Sequence, residues 1–559
     1  MGSSLRLSAR SSAAAISITP VTIWWAVWAG VWTIAVLCGM AYLIIHRNMP
    51  PVRIRGLGLC LSAIVCLHLY WGIVQFGLMI GAIMPDNAQY WMMGTWLPCG
   101  IALFHGYNTR FLYVARMQKK YAQYGHRLFK PSVEMRTKKK TDLVARFRAL
   151  DYTTKIILFV GAGSFIQVFL TTLMYLISRK WHSSWGIPGT EVNGGAEMRM
   201  KADEGWGWEW WPSLFWQFFW SWVIAPITLW KSRNIRDTQG WRFQTIGCAI
   251  ANLHGTPMFL IAVYVPGMAV VNQYWLPAQW ICLSILFIET FTIFLPCWEV
   301  MRHQSLRQET LDSITRWEKK TKASGHSEIK SMKSESTLVA SLWGGKSVNE
   351  SIKSNDSGDS ILTMGALEHV LERNPAPLLE FSALREFSGE NIAFLTSVAE
   401  WKRSLLDILA DGPTDKGLLR EHFNIALHLY AHFISARYAE FPLNLSSQTL
   451  KKLGDIFEQP TQHIYGDQHG KSNSVTPFDD DFTSDSLSSA DSSTQSSRTE
   501  KAGNQSKLYW GEIPESFNST VFDDAEASIK YLVLTNTWPK FIKDRRESLA
   551  SLERLCMEE

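Results

Sequence analysis

The sequence predicts an all-α protein with two parts: a seven-transmembrane helix bundle, followed by an all-α soluble domain that contains a disordered insertion. Long apolar runs dominate residues 19–298, whereas residues 301–559 are polar and charged. The mean hydropathy of -0.03 therefore averages two unlike halves. The polar half has apolar residues at helical spacing and no pattern typical of a strand. A chain of 559 residues has room for more than one domain.

Composition and motifs exclude several functional classes. A net charge of +5 is too small to indicate a nucleic-acid partner. Most of the 8 cysteines lie inside apolar runs without zinc-site spacing, which is typical of small buried side chains and predicts no metal site. No phosphate-binding loop, nucleophile motif or metal-ligand helix is present. We therefore expect no active site in this chain and no cofactor.

Seven segments are long and apolar enough to cross a bilayer, for which about 20 residues are needed. They are residues 20–45, 57–82, 90–114, 156–177, 210–230, 243–265 and 275–298. The third is the least apolar because it contains Pro98, His105 and Asn108. Its length and aromatic flanks still favour a span.

The distribution of Lys and Arg predicts the orientation of the spans, since loops rich in these residues face the cytoplasm. The loops after spans one, three and five are basic, and the loop after span three, residues 115–155, is the most basic. The loops on the other side carry few positive charges. The pattern predicts an N-terminus outside, a C-terminal tail in the cytoplasm, and a multi-pass protein of the plasma membrane.

Few polar side chains fall within the spans, and an ionisable group at membrane depth is a candidate site because its burial is costly. His68 and His105 are read as buried residues that bond to a neighbouring helix. Glu289 in span seven needs a partner or a proton, and Asn252 and His254 on span six are the predicted partners. These three residues form the candidate intramembrane polar site.

The tail begins with a polar helix near residues 302–322 and a Ser/Lys-rich linker. Helical patterns return at 365–371, 378–387, 390–402, 421–434, 448–457 and 522–534, and a last helix starts at Trp538-Pro539. In the third of these, Phe394, Leu395, Val398 and Trp401 form one apolar stripe. Residues 478–497 are acidic and serine-rich, which is typical of a disordered insertion.

The predicted organisation has five parts. They are a short extracellular segment (1–19), the membrane domain (20–300), a juxtamembrane helix and linker (301–363), the tail domain (364–546, with a disordered insertion over 460–519) and a C-terminal tail (547–559).

Four blocks in the tail resemble the regulator of G-protein signalling (RGS) domain. They read Arg-Glu-Phe-Ser-Gly-Glu-Asn-Ile-Ala-Phe-Leu at 385–395, Tyr-Ala-His-Phe-Ile at 430–434, Leu-Asn-Leu-Ser-Ser-Gln-Thr at 443–449, and Phe-Asp-Asp-Ala at 522–525 with Trp-Pro-Lys-Phe at 538–541. The resemblance covers about residues 364–546 without the insertion. Seven spans followed by such a domain also resemble the fungal and plant membrane RGS proteins.

This resemblance implies a membrane-anchored negative regulator that accelerates GTP hydrolysis by a GTP-bound Gα subunit and contributes no catalytic residue of its own. RGS domains hold the Gα switch loops in their transition-state shape, and Gα carries its own arginine and glutamine. Matching positions predict that Asn444 lies nearest that glutamine and that Glu386, Glu390 and Asn391 contact the switch segments. The remaining implied Gα-binding residues are Ser447, Leu532, Asn536, Thr537 and Lys540.

Two of these positions depart from the family pattern. Asn536 stands where aspartate is usual, so an acceptor loses its charge. Lys540 stands where arginine is usual, so a bidentate contact becomes a point charge. Both departures bear on affinity and on the choice of Gα.

Two other functions remain open on the sequence. The chain is either a receptor whose RGS-like tail serves as a Gα-binding scaffold, or a transporter or channel with a regulatory tail. The cytoplasmic end of span three lacks an acid-Arg-Tyr triplet and span seven lacks Asn-Pro-x-x-Tyr, which counts against the receptor. Glu289 is the one hint of transport. An extracellular small ligand that gates the tail fits the regulator and the receptor alike.

Overall fold

A computed structural model describes residues 16–81, 83–85, 87–124, 150, 152–182, 185–191, 207–323, 362–410, 416–465 and 508–558. These residues form helices and loops, and among them no strand occurs. The chain divides into two compact units. The first comprises Met1–Leu112, Tyr152–Asn234 and Gly240–Trp298, and the second comprises Tyr113–Asp151, Ile235–Gln239 and Glu299–Glu559.

Five helical segments of the described chain are long and apolar enough to cross a membrane, which indicates a membrane protein. They are Pro20–Ile45, Leu57–Gln75, Tyr152–Ile177, Trp241–Tyr264 and Gln279–Arg316. The first begins where Pro20 occupies the first turn and the Thr19 side chain accepts a hydrogen bond from the Thr22 N–H.

The other two predicted spans are helical but divided into shorter segments. Residues 90–114 fall on Ala88–Trp91, the π-helical Met92–Trp96 and Leu97–Tyr124. Residues 210–230 fall on Trp208–Trp210, Trp211–Phe218, the π-helical Phe219–Ile224 and Ala225–Ser232. Each π-helical turn shifts the hydrogen-bond ladder by one residue. Neither of these two divided helices is among the five segments above, so seven spans stay a prediction.

Short helical turns complete the first unit. They are Pro50–Arg53, Gly77–Ile80, Pro266–Met268 and Ala269–Asn272. The last long helix runs as Gln279–Glu289, then the π-helical Thr290–Phe294, then Leu295–Ala323, which extends into the second unit. The polar helix predicted near residues 302–322 is the end of this segment.

The second unit is built mainly from tail helices at the predicted places. They are Met364–Arg373, Ala376–Leu384, Gly389–Ala410, Lys416–Leu429 with the π-helical Tyr430–Ile434, Ser447–Tyr465, Asp523–Leu532 with the π-helical Val533–Thr537, and Trp538–Glu558. The Ser446 hydroxyl accepts from the Thr449 N–H at 3.2 Å, as expected for a serine at a helix start. The last helix continues through most of the predicted C-terminal tail.

One hydrophobic core holds these helices together. Phe394, Val398 and Trp401 of the predicted stripe are completely or almost completely buried in it. Aromatic rings from distant parts of the tail meet there, with the Phe457 and Phe522 rings stacked at 5.6 Å between centroids. Burial of side chains of this size stabilises the fold by roughly 1.5–3 kcal/mol each.

The predicted disordered insertion, residues 460–519, differs from the structure at both ends. Residues 460–465 belong to the Ser447–Tyr465 helix. Tyr509 and Phe517 pack against the core, and the Phe517 ring lies 5.0 Å from the Phe423 ring. These apolar residues add buried surface to the core of the tail. Residues 466–507 lie outside the described chain.

Candidate functional site

The candidate intramembrane site is centred on Glu289, whose side chain is completely buried. Its Oε1 lies 2.8 Å from the His68 Nδ1. Its Oε2 accepts a hydrogen bond from the Trp32 Nε1 at 2.5 Å. The second ring nitrogen of His68 lies 3.0 Å from the Thr33 hydroxyl. The carboxylate therefore joins three helices of the first unit.

The partners of Glu289 are therefore His68 and Trp32 instead of the predicted Asn252 and His254. His254 pairs its Nε2 with the Ser284 hydroxyl at 3.5 Å, so the predicted triad is not assembled. Two signals in the sequence could have found His68: a histidine inside span two, and a carboxylate that needs a basic or donor partner. Trp32 was missed because an indole in a span is ordinarily an apolar side chain.

The tail surface is built around a tight turn, residues 385–388, between the Ala376–Leu384 and Gly389–Ala410 helices. Phe387 has a φ of 53°, the left-handed region that a bulky residue rarely adopts. The turn is held by Ser382, whose carbonyl accepts from the Ser388 N–H at 2.9 Å and whose hydroxyl donates to the Ser388 carbonyl at 2.8 Å. Backbone strain of this kind costs about 1–3 kcal/mol and often marks a functional site.

An ion pair connects this turn to the last helix. The Lys540 Nζ lies 2.8 Å from the Glu386 Oε2 and 3.0 Å from the Asn536 Oδ1. The Glu386 side chain is completely buried, and its Oε1 accepts no hydrogen bond from any described residue. Glu386 is thus brought into contact with Lys540, a predicted site residue 154 positions away in sequence, and Lys540 in turn contacts Asn536.

Asn444 and Ser447 lie where the chain enters the Ser447–Tyr465 helix, and both side chains are exposed. This segment is anchored at Leu443, whose N–H donates to the Phe433 carbonyl at 2.7 Å. The neighbouring helix end is held by the Tyr430 hydroxyl, which donates to the Glu458 carboxylate at 2.7 Å. Burial and this carboxylate raise the pKa of Tyr430 well above its ordinary value.

The other predicted site residues differ in exposure. Asn391 and Thr537 are buried, whereas Glu390 and Leu532 are partly exposed. Glu390 accepts a hydrogen bond from the Gln118 Nε2 at 2.8 Å. The tail surface therefore combines two exposed residues of the third sequence block with buried residues of the first and fourth blocks.

Two residues that contact this surface were missed by the sequence analysis. Gln118 contacts Gly389 and Glu390, and Gln239 donates to the Glu386 carbonyl at 2.7 Å. Both are glutamines within predicted cytoplasmic loops, where polar residues are ordinary, so nothing in the sequence distinguished them.

Within the described ranges, no group of three or more His, Cys, Asp or Glu side chains is arranged to hold a metal ion. Comparison with known proteins found no match to this chain among protein-family models, curated proteins or solved structures. The arrangement of its own residues is therefore the basis for assigning a function.

Proposed function

We propose that this protein is a membrane-anchored regulator that binds an activated Gα subunit through its tail and accelerates GTP hydrolysis. The observation that carries the proposal is the contact among Glu386, Asn536 and Lys540. These residues come from two sequence blocks that resemble the RGS domain, and they share one helical core with the other two blocks. A common binding surface requires that residues of these separate blocks lie together.

The chemistry of this surface suits the stabilisation of a partner's loops. It offers amide and carboxylate groups on Asn444, Asn391 and Glu390, and these groups can bond to the backbone of a switch segment. Asn444 is exposed and lies on a segment fixed to the core at Leu443. Because the Asn444 amide is held in place, less free energy is needed to order the Gα glutamine that positions the attacking water.

The membrane helices support the same function because they confine the tail to the bilayer surface. Five helices of the described chain are long and apolar enough to anchor the tail to a bilayer. Gα subunits are themselves attached to the membrane by lipid, so tethering raises the effective concentration of the tail. On this proposal, the chain has seven spans, an N-terminus outside and a tail in the cytoplasm at the plasma membrane.

The proposal predicts binding that depends on the nucleotide state of Gα. Purified full-length protein in lipid nanodiscs should bind Gα with GDP and aluminium fluoride, a mimic of the hydrolytic transition state, more tightly than Gα with GDP alone. The Asn444→Ala variant should weaken this binding by about 1–3 kcal/mol, or roughly fivefold to 150-fold, because a hydrogen-bonded contact is lost. Biolayer interferometry with a panel of purified Gα subunits measures both effects.

The matched control is Asn518→Ala, which truncates an exposed asparagine whose side chain bonds only to Thr520 among the described residues. Its affinity should equal that of the unmodified protein. Equal binding of the two nucleotide states, with faster GDP release from Gα in the presence of the protein, would favour the receptor with a scaffold tail.

A further inference from the structure

Several groups on the proposed Gα-binding surface already have partners within this chain. The partners come from three segments outside the tail domain: Gln118 and Tyr121 on the Leu97–Tyr124 helix, Thr238 and Gln239 in the loop between the Ala225–Ser232 and Trp241–Tyr264 helices, and His303 and Arg307 on the Leu295–Ala323 helix. We call these six residues the cover. All six belong to the same compact unit as the tail.

Gln118 holds the beginning of the Gly389–Ala410 helix. Its Oε1 accepts from the Gly389 N–H at 3.0 Å, and its Nε2 donates to the Glu390 Oε2 at 2.8 Å. The Gln118 side chain is completely buried. A helix start has free N–H groups that attract an acceptor from a partner, and here an internal amide occupies that position.

Tyr121, on the same Leu97–Tyr124 helix as Gln118, contacts the tail through apolar packing. It is buried in the tail core, with its ring 6.2 Å from the His432 ring and 6.4 Å from the Phe441 ring. Burial, together with the Glu390 carboxylate, raises the pKa of Tyr121 well above its ordinary value. The phenol therefore stays neutral, and the Tyr121 ring packs into the core of the tail.

The second segment satisfies the carbonyl groups of the strained turn. The Thr238 N–H donates to the Arg385 carbonyl at 3.1 Å, and the Gln239 Nε2 donates to the Glu386 carbonyl at 2.7 Å. Gln239 is 3% exposed. These two carbonyls immediately precede Phe387, the residue with positive φ, and so the cover holds the part of the surface that is conformationally strained.

The third segment lies against the last part of the surface. His303 is buried, and the Lys540 charge acts on its ring, although neither ring nitrogen forms a hydrogen bond to a described residue. One turn further along the same helix, the Arg307 guanidinium lies over the Tyr531 ring at 5.8 Å. The ion pair of Glu386 and Lys540 is thus approached from the helix that continues the last apolar segment.

We propose that the cover is an autoinhibitory contact that must be displaced before Gα can bind. This inference rests on the proposed function, since it assigns regulation to the same surface. Gα and the cover would use the same groups: the turn at 385–388, the helix start at Gly389, and Asn536 with Lys540. The apparent affinity for Gα is then reduced by the fraction of molecules in which the cover is displaced.

The cover also provides a route for a signal from the membrane. Gln118 and Tyr121 lie on one uninterrupted helix, Leu97–Tyr124, whose first part falls within predicted span three. A rotation of this helix, or a shift along its axis, withdraws both side chains together because a helix moves as a rigid rod. The cover is therefore a two-state element that an outside ligand can bias.

The test releases the cover in the full-length protein. The double variant Gln118→Ala/Gln239→Ala removes three side-chain hydrogen bonds to the surface and no predicted Gα-binding residue. Since each net hydrogen bond shifts an equilibrium by about twofold to tenfold, we expect the double variant in nanodiscs to accelerate GTP hydrolysis by Gα at roughly tenfold lower protein concentration. Single-turnover release of phosphate from Gα loaded with GTP is the readout.

The matched control is Gln308→Ala, which truncates an exposed glutamine whose side chain bonds to Asp312 on its own helix. It should behave as the unmodified protein does. A structural role for Gln118 and Gln239 predicts the opposite sign, because a weakened fold lowers the acceleration. Thermal unfolding of each variant shows whether the tail remains folded.

A second measurement locks the cover instead of releasing it. The Thr238 N and the Arg385 carbonyl oxygen lie 3.1 Å apart. In the variant Thr238→Cys/Arg385→Cys, oxidised glutathione should therefore join the two thiols. The oxidised variant should lose most of its acceleration and regain it with dithiothreitol. The unmodified protein under the same oxidation controls for the native cysteines.

The outcomes separate the two proposals. Higher activity on release and lower activity on locking support the cover. Acceleration that is equal in the unmodified protein, the double variant and the locked variant overturns the cover and leaves the proposed function intact. The absence of acceleration in every variant, with every Gα tested, overturns the proposed function and the cover with it.

Discussion

Glu289 shows how one buried carboxylate organises its surroundings. A charge removed from water is tolerated only beside donors that replace the lost hydration, and His68 and Trp32 provide two such donors. The sequence identified Glu289 and His68 as polar residues within spans, but it could not choose the partner. That choice depends on which helices are neighbours, which a one-dimensional pattern does not encode.

We predict that Glu289→Ala destabilises the protein more than Glu289→Gln. The glutamine keeps an acceptor for the Trp32 N–H, and its amide can donate to the His68 Nδ1 if the ring proton moves to the nitrogen that faces Thr33. The alanine leaves both groups unpaired, at a cost of about 1–3 kcal/mol each. Thermal unfolding in detergent measures the difference, and equal losses in both variants would mean that the charge itself is required.

The residues of the tail surface were likewise predictable only in part. Glu386, Asn536 and Lys540 were grouped by resemblance, and the structure joins them through hydrogen bonds. The burial of Glu386, Asn391, Asn536 and Thr537 was not predictable. It depends on tertiary contacts, including those with Gln118 and Gln239, two residues that carry no sequence signal of their own.

Among the helices, those with strong apolar periodicity were predicted well. The stripe of Phe394, Val398 and Trp401 gave the Gly389–Ala410 helix because one face of it is buried along its length. Spans three, five and seven were predicted as single helices, but π-helical turns at Met92–Trp96, Phe219–Ile224 and Thr290–Phe294 divide them. A π-helical turn adds one residue without changing composition, so hydropathy alone does not reveal it.

The helix from Lys416 to Ile434 carries three histidines and predicts a dependence of stability on pH. Burial lowers the pKa of His422 and of His428. Burial and the nearby His428 lower the pKa of His432 to about 4. The unfolded chain therefore binds protons first as pH falls, so the stability present above pH ~6.5 is lost progressively toward pH 4.

We expect the melting temperature of the full-length protein to fall between pH 6.5 and pH 4.5. The fall should be smaller in His432→Gln, which cannot acquire the buried charge. His369→Gln, on the Met364–Arg373 helix, is the control for loss of a histidine elsewhere in the tail. Differential scanning fluorimetry across this pH range measures the effect. Identical pH profiles for His432→Gln and the unmodified protein would contradict the assignment.

The proposed function requires a membrane anchor joined to a regulatory domain. The division into an apolar half and a polar half was evident from the sequence, and five apolar helical segments support it. The boundary between the two compact units was not predictable. The second unit includes Tyr113–Asp151 and Ile235–Gln239, which hydropathy assigns to the ends and loops of the membrane domain.

The central claim is that the tail accelerates GTP hydrolysis by Gα, and single-turnover hydrolysis tests it most directly. Full-length protein in nanodiscs is mixed with Gα loaded with GTP, and phosphate release is followed beside Asn444→Ala and Asn518→Ala. We expect acceleration by the unmodified protein and by Asn518→Ala, and a loss of at least about tenfold in Asn444→Ala. A Gα that binds the protein yet hydrolyses GTP at its unassisted rate would contradict the claim.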